Sequence, residues 1–114
     1  MLKKKILELI DSLHSVYSDD FKVEIEKISE LLYERLSSNS GTLYTIGNGG
    51  SAADAQHFVA ELIIRFSKKR RSLPAIALTT DSSVITAAGN DLGFDKIFSR
   101  QLEGILKPND ILFS

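Results

Sequence analysis

Apolar side chains recur at helical spacing through Ile6, Leu7, Leu9, Ile10, Leu13 and Val16, which predicts an amphipathic helix over residues 2–17. Ser18-Asp19-Asp20 breaks the pattern and offers a cap. The period resumes through Val23, Ile25, Ile28, Leu31, Leu32 and Leu36, a second helix over residues 21–36. After a polar loop at 37–41 the pattern changes: Thr42-Leu43-Tyr44-Thr45-Ile46, bounded by Gly41 and Gly47, is a short apolar run that reads as a buried strand. A third helix is expected over about residues 52–66, with Ala55, Phe58, Val59, Leu62, Ile63 and Phe66 as its core face. Residues 74–78 form a second buried strand, with Pro74 at its first position, where it removes no ladder bond. Thr79-Thr80-Asp81 caps a short helix that ends near Gly89, leaving Asn90 and Asp91 in the loop just beyond. A further helix covers about 94–106, and residues 110–114 begin a third strand. Two helices followed by β-α-β-α-β predict a helical hairpin over 1–40 and, from 41, an α/β domain with a parallel sheet and right-handed crossovers.

Chemistry concentrates where the first strand meets the third helix. Gly47-Asn48-Gly49-Gly50-Ser51 couples a glycine-rich turn to a helix start; glycines let the backbone approach a ligand, and free N–H groups of a first turn face a phosphate or hydroxyl. Ser51 suits the N-cap, and Asp54 three residues later gives a capping-box pattern. Asp54, His57, Glu61 and Arg65 follow one another by three, four and four along one stripe of the helix, starting at the glycine turn. An ordinary solvated face with a Glu61–Arg65 ion pair would explain the stripe at a worth of only about 0.3–0.5 kcal/mol. The glycine loop beside it favours a site instead, because these groups can bind metal, move protons and hold anions. Ser67-Lys68-Lys69-Arg70-Arg71 reads as a solvated loop.

Composition narrows the picture further. The 114 residues suffice for one domain, at the small end for a layered α/β fold. With 14 basic and 15 acidic side chains there is no electrostatic footprint for nucleic acid or an anionic membrane. The absence of cysteine excludes disulfides and thiol chemistry. Glu8 and Asp11 interrupt any signal-peptide run, and no stretch is apolar enough to cross a membrane, so a soluble, cytoplasmic protein is expected.

GNGGSAADAQHFVAEL, followed by RSLPAIALTTDSSVITAAGNDLGFDKIFSRQLE, resembles the sugar isomerase (SIS) family, most closely the phosphoheptose isomerases, from Gly41 onwards. The resemblance implies a flavodoxin-like three-layer domain. It also implies interconversion of sedoheptulose 7-phosphate and D-glycero-D-manno-heptose 7-phosphate, on the route to lipopolysaccharide cores or capsules. Cytoplasmic homotetramers, with the N-terminal helices packing between subunits, and zinc in the active site are implied as well. Residue by residue, Asn48, Gly49 and Gly50 match the substrate loop, and Ser51 matches its phosphate- or hydroxyl-binding serine. His57 and Glu61 match zinc ligands, and Glu61 also matches the base that moves a proton between C1 and C2. Arg65, Asn90 and Asp91 match substrate contacts.

Two other classes stay open. One is a non-catalytic SIS adaptor that binds the bacterial replication initiator; Gly50, Asp54 and Glu61 follow the isomerase pattern instead. The other is an inherited motif without activity. The sequence ends at Ser114, within the expected third strand, where the flavodoxin-like order would continue to five strands. The resemblance implies a second phosphate loop and a late glutamine and histidine, none of which this chain carries. The expectation is therefore an N-terminal piece of a longer enzyme, truncated after the third strand, that folds with the help of oligomer contacts and is inactive alone.

Overall fold

Two helices open the chain, α1 over Leu2–Val16 and α2 over Asp19–Ser37. Ser18 makes the break between them, its hydroxyl accepting a hydrogen bond from the Phe21 N–H at 3.2 Å, with Asp19 and Asp20 in the first turn of α2 where the helix dipole favours them. The computed structural model describes all residues 1–114, in two compact units, Met1–Tyr33 and Glu34–Ser114. In the first unit the periodic apolar set of α1 is exposed throughout, from 42% at Ile10 to 60% at Leu13, and α1 buries no residue at all. Phe21, Val23, Ile25 and Ile28 on α2 are similarly open.

The second unit is built on three strands: β1 (Leu43–Thr45), β2 (Ala75–Ala77) and β3 (Ile111–Phe113). Both pairings are parallel and β1 is central, giving the order β2-β1-β3 with Leu43 opposite Ala75 and Ile111. This is the α/β class expected, in the 2-1-3 order with which the flavodoxin-like arrangement begins. Between the strands lie α3 (Gly50–Ile63), α4 (Ser82–Asp91), a 3₁₀ turn at Phe94–Lys96 and α5 (Ser99–Ile105). The buried core is Leu36, Leu43, Tyr44, Ala55, Val59, Leu78 and Ile97, with small alanines filling the gaps.

Specific bonds fasten these layers. The fully buried Thr45 donates its hydroxyl hydrogen to the Ala55 carbonyl at 3.2 Å, joining β1 to α3. The Asp110 carboxylate accepts from the N–H groups of Thr42 (2.7 Å) and Lys107 (2.8 Å), which sets the entry of β3 beside β1. Gly41 is required there: a Cβ on it would stand 2.1 Å from the Asn109 carbonyl oxygen. Burial pushes the Tyr44 phenol above its ordinary pKa, the charge of Asp110 pushes the same way, and a hydrogen bond with Thr42 partly opposes them.

Several expectations change. The core face of α3 is narrower than its periodicity suggested: Ala55 and Val59 are buried, but Phe58 and Ile63 are 37% exposed and Phe66, beyond the helix end, is open. β2 is not buried on both faces, since Ile76 is 46% exposed, and Leu112 and Phe113 of β3 are about half exposed. α4 is capped by Asp81, which accepts from the Val84 N–H at 3.0 Å, but it runs past Gly89. Gly89 faces the Ile97 side chain, and the chain turns only at Gly93, whose φ of 109° suits glycine. The helix expected over 94–106 is broken. The Gln101 N–H bonds Phe98 at 3₁₀ spacing, while its side-chain amide donates to the Ile97 carbonyl at 2.7 Å.

The basic run is also more than a solvated loop. Arg71 donates to the carbonyls of Leu36 (3.0 Å) and Ser37 and to Asn39 Oδ1 (2.9 Å), closing the C-terminus of α2. Arg70 does the same for α3, donating to the carbonyls of Glu61 (2.7 Å) and Leu62 (2.8 Å). A cation at a helix C-terminus satisfies orphan carbonyls and complements the dipole.

Candidate active site

β1 ends into the glycine loop under tight steric control. A Cβ on Gly47 would lie 2.6 Å from the main-chain carbon and oxygen of Ser51, so only glycine lets the strand end meet the first turn of α3 this closely. Gly49 has φ 55° and ψ −121°, a conformation essentially reserved for glycine, and it, not Ser51, is the N-cap. Ser51 is the second residue of α3; its N–H turns back to the Asn48 carbonyl at 3.0 Å, and no side-chain cap bond forms with it or with Asp54. The expected capping box is therefore absent, because the positive φ of Gly49 starts the helix two residues earlier. The N–H groups of Gly49 and Gly50 donate to no protein acceptor, so they are the donors this turn can offer to an oxyanion.

Two hollows flank the start and middle of α3. Beside the glycine loop, Ser51 and Asp54 line a hollow of about 260 Å³ together with Ile46, Phe58 and Phe113. Along the helix, Asp54, His57 and Glu61 line a second of about 410 Å³, walled by Phe58, Leu62 and Arg70. The second lies in the size range of small-ligand sites, roughly 300–1,000 Å³. Asp54 and Phe58 belong to both, and Phe58 meets Phe113 of β3 with ring centroids 5.6 Å apart, so the two hollows share one aromatic wall.

Within the larger hollow, His57 Nε2 stands 3.0 Å from Glu61 Oε1. The histidine side chain is 75% exposed and the glutamate only 34%, so the carboxylate sits deeper and the imidazole at the mouth. The two offer one nitrogen and one oxygen donor side by side, a chemistry suited to zinc. No third histidine, cysteine or carboxylate gathers round them, so this chain supplies two such donors at that point.

Arg65 does not join the stripe. α3 stops at Ile63, and the carbonyls of Glu61 and Leu62, which would accept from residues 65 and 66 in a longer helix, are instead taken by Arg70 and, for Leu62, also by the Leu73 N–H at 3.2 Å. The Glu61 carboxylate consequently pairs with His57 rather than with Arg65. Asn90 and Asp91 are the last residues of α4, not a loop; Asn90 Nδ2 donates to Asp91 Oδ1 at 2.8 Å, and neither lines the two hollows. The two adjoining hollows thus hold Ser51 and Asp54 by the glycine turn, and Asp54, His57 and Glu61 along α3. Arg65, Asn90 and Asp91 stand outside them.

Sequence reasoning missed four participants. Gln56 donates to Thr79 Oγ1 at 3.1 Å and ties α3 to the loop after β2; nothing in the pattern marks it. Arg70 was hidden inside a charge run. Phe58 and Phe113 read as core, and their aromatic character was the only hint of a shared wall.

The chain is similar to known proteins over most of its length. The SIS domain model matches residues 7–114. The phosphoheptose isomerase of Geotalea daltonii is 57% identical over 89 residues, which are 78% of this chain and 46% of that protein. That of Nitratiruptor sp. is 46% identical over 111 residues, 97% of this chain and 58% of the relative. The solved phosphoheptose isomerase of Neisseria gonorrhoeae superposes with a TM-score of 0.74 at 37% identity, over 98% of this chain and 59% of that one. The chain spans about half the length of the curated relatives it matches. With a family model covering all but its first six residues, the chain belongs to the SIS domain family.

Proposed function

We propose that the chain carries the substrate loop and the proton-transfer carboxylate of a phosphoheptose isomerase. Its substrates would be sedoheptulose 7-phosphate and D-glycero-D-manno-heptose 7-phosphate, on a route to lipopolysaccharide core or capsule. The observation that supports this most is the Glu61 carboxylate, two-thirds buried in a hollow along α3 that shares Asp54 and Phe58 with the hollow at the glycine turn, in a chain similar over most of its length to proteins of that name.

Aldose–ketose isomerisation needs a base beside the carbon next to the carbonyl. Glu61 takes the proton from C1 of the ketose; the C–H electron pair moves into an enediol(ate), and the carbonyl oxygen gains a proton. The carboxylic acid then returns its proton to C2 while the C1 hydroxyl gives up its own proton to solvent and becomes the carbonyl, leaving the aldose. The Gly49 and Gly50 N–H groups and the Ser51 hydroxyl bind phosphate or sugar hydroxyl oxygens. Asp54 accepts from sugar hydroxyls where the two hollows meet, and Phe58 keeps water from that wall. His57 and Glu61 would be two of the ligands of a zinc ion, which would stabilise negative charge on a sugar oxygen. Arg65, Asn90 and Asp91 are proposed as substrate contacts only in a closed complex, since they lie outside the hollows here.

We also assign the open apolar stripes of α1 and α2 to contacts between copies in a cytoplasmic homotetramer; no helix of the chain is long and apolar enough to cross a membrane. The test is conversion of sedoheptulose 7-phosphate, followed by NMR. It is run on the chain itself and on residues 1–114 joined to the remaining residues of the Nitratiruptor relative. Turnover in the joined protein that disappears in Glu61→Gln supports the reading. Undiminished turnover in that variant assigns proton transfer elsewhere.

A further inference from the structure

Arg70 stands at an unusual junction. Its guanidinium donates through one terminal nitrogen to the Leu62 carbonyl (2.8 Å) and the Arg71 carbonyl (2.9 Å), and through the other to the carbonyl of Glu61 (2.7 Å). The same side chain lines the hollow that holds Glu61 and His57. The last turn of α3 has no helical donors for these carbonyls, because the chain leaves the helix after Ile63, and Ile64 and Phe66 are well exposed with no packing to hold the turn. The carbonyl of Glu61 is thus held by Arg70 from nine residues along the chain, and that of Leu62 by Arg70 together with the Leu73 N–H.

We propose that Arg70 is a positioning residue for Glu61: by fixing the main chain of residues 61 and 62 it holds the carboxylate against His57 and towards the hollow. The catalytic part of this inference rests on the isomerase reading; the clamp itself does not. A planar guanidinium suits the task because its fork reaches two successive carbonyls at once, with permanent charge, whereas an ammonium acts as a single point. Displacement of a general base by about 1 Å can cost on the order of a hundredfold in rate without loss of binding.

The experiment compares the full chain with Arg70→Gln, Arg70→Lys and, as a control on the same run, Lys69→Gln, which makes no such bonds. Amide hydrogen exchange by NMR needs no turnover. Arg70→Gln should raise exchange at residues 61–64 tenfold or more while residues 53–56, nearer the start of α3, stay within twofold, and Arg70→Lys should restore part of the protection. Where the protein turns over sugar phosphate, Arg70→Gln should lower kcat at least tenfold with KM within about twofold, and Lys69→Gln should do neither. Unchanged exchange at 61–64 overturns the clamp even if the isomerase reading stands. A raised KM at constant kcat overturns positioning in favour of direct substrate binding. If the wild-type chain is inactive the isomerase reading fails for it alone, and the exchange data still decide the clamp.

Discussion

Replacing Gly47 with alanine probes the close approach that shapes the whole site. The added Cβ would lie 2.6 Å from the Ser51 carbon and oxygen and 2.9 Å from its Cβ, all within the first turn of α3 rather than at a flexible side-chain tip. Ordinary contact begins at 3.4 Å, so strand and helix must separate by about 0.8 Å, the difference between 3.4 and 2.6. The same separation would stretch the Thr45–Ala55 bond from 3.2 Å to about 4.0 Å and break it inside the core. Overpacking of this kind costs about 1–3 kcal/mol, and a buried hydroxyl left without its partner costs a similar amount. With an m-value of about 2 kcal/mol per M, the urea midpoint of Gly47→Ala should fall by roughly 0.5–1.5 M. Gly104→Ala is the control: nothing lies within 4 Å of its Cβ, it sits inside α5, and the change should be neutral or stabilising by up to about 1 kcal/mol. A Gly47→Ala midpoint at or above wild type would refute the steric argument.

Other consequences follow from single contacts. Asp81→Ala removes the cap of α4 and should cost about 1 kcal/mol, lowering Tm by roughly 3–6 °C, whereas Ser83→Ala, which loses no side-chain cap bond, should leave it unchanged. The Tyr44 phenol has its pKa raised in the folded state, so the protein holds that proton more tightly than the unfolded chain does. Its stabilising contribution is complete below the unfolded value near 10 and is lost as pH rises from there towards the folded value. Urea midpoints measured from pH 8 to 11 should fall above 10, and Tyr44→Phe should fall less steeply; parallel curves would contradict the assignment.

Local rules carried much of the fold because they act within a few residues. The strand between Gly41 and Gly47, the caps at Ser18 and Asp81, and the β-α-β alternation each depend on neighbours in sequence, and each is present. Helix ends were less legible where a distant group decides them. The stripe Asp54-His57-Glu61 holds, but Arg65 leaves it because Arg70 and Leu73 occupy the carbonyls that would have extended α3. Ser51 looked like a cap because its type fits. Gly49 displaces it through a backbone conformation that residue type permits but does not announce. Gly89 suggests a helix end before Asn90 and Asp91, but it packs against Ile97 and α4 continues through both. The wide apolar faces of α1 and α2 were read correctly as faces, and the chain itself leaves them uncovered.

The central claim is that Glu61 is the base of an enediol isomerisation in the hollow along α3, and solvent-hydrogen incorporation tests it most directly. The joined protein described above is supplied with sedoheptulose 7-phosphate in D₂O, and deuterium at C2 of the aldose product is measured by mass spectrometry and NMR. A carboxylate that exchanges its proton with solvent during the reaction should leave deuterium at that carbon, and Glu61→Gln should abolish both product and label while still binding the sugar phosphate. Product formed at the wild-type rate by Glu61→Gln, labelled or not, would contradict the account.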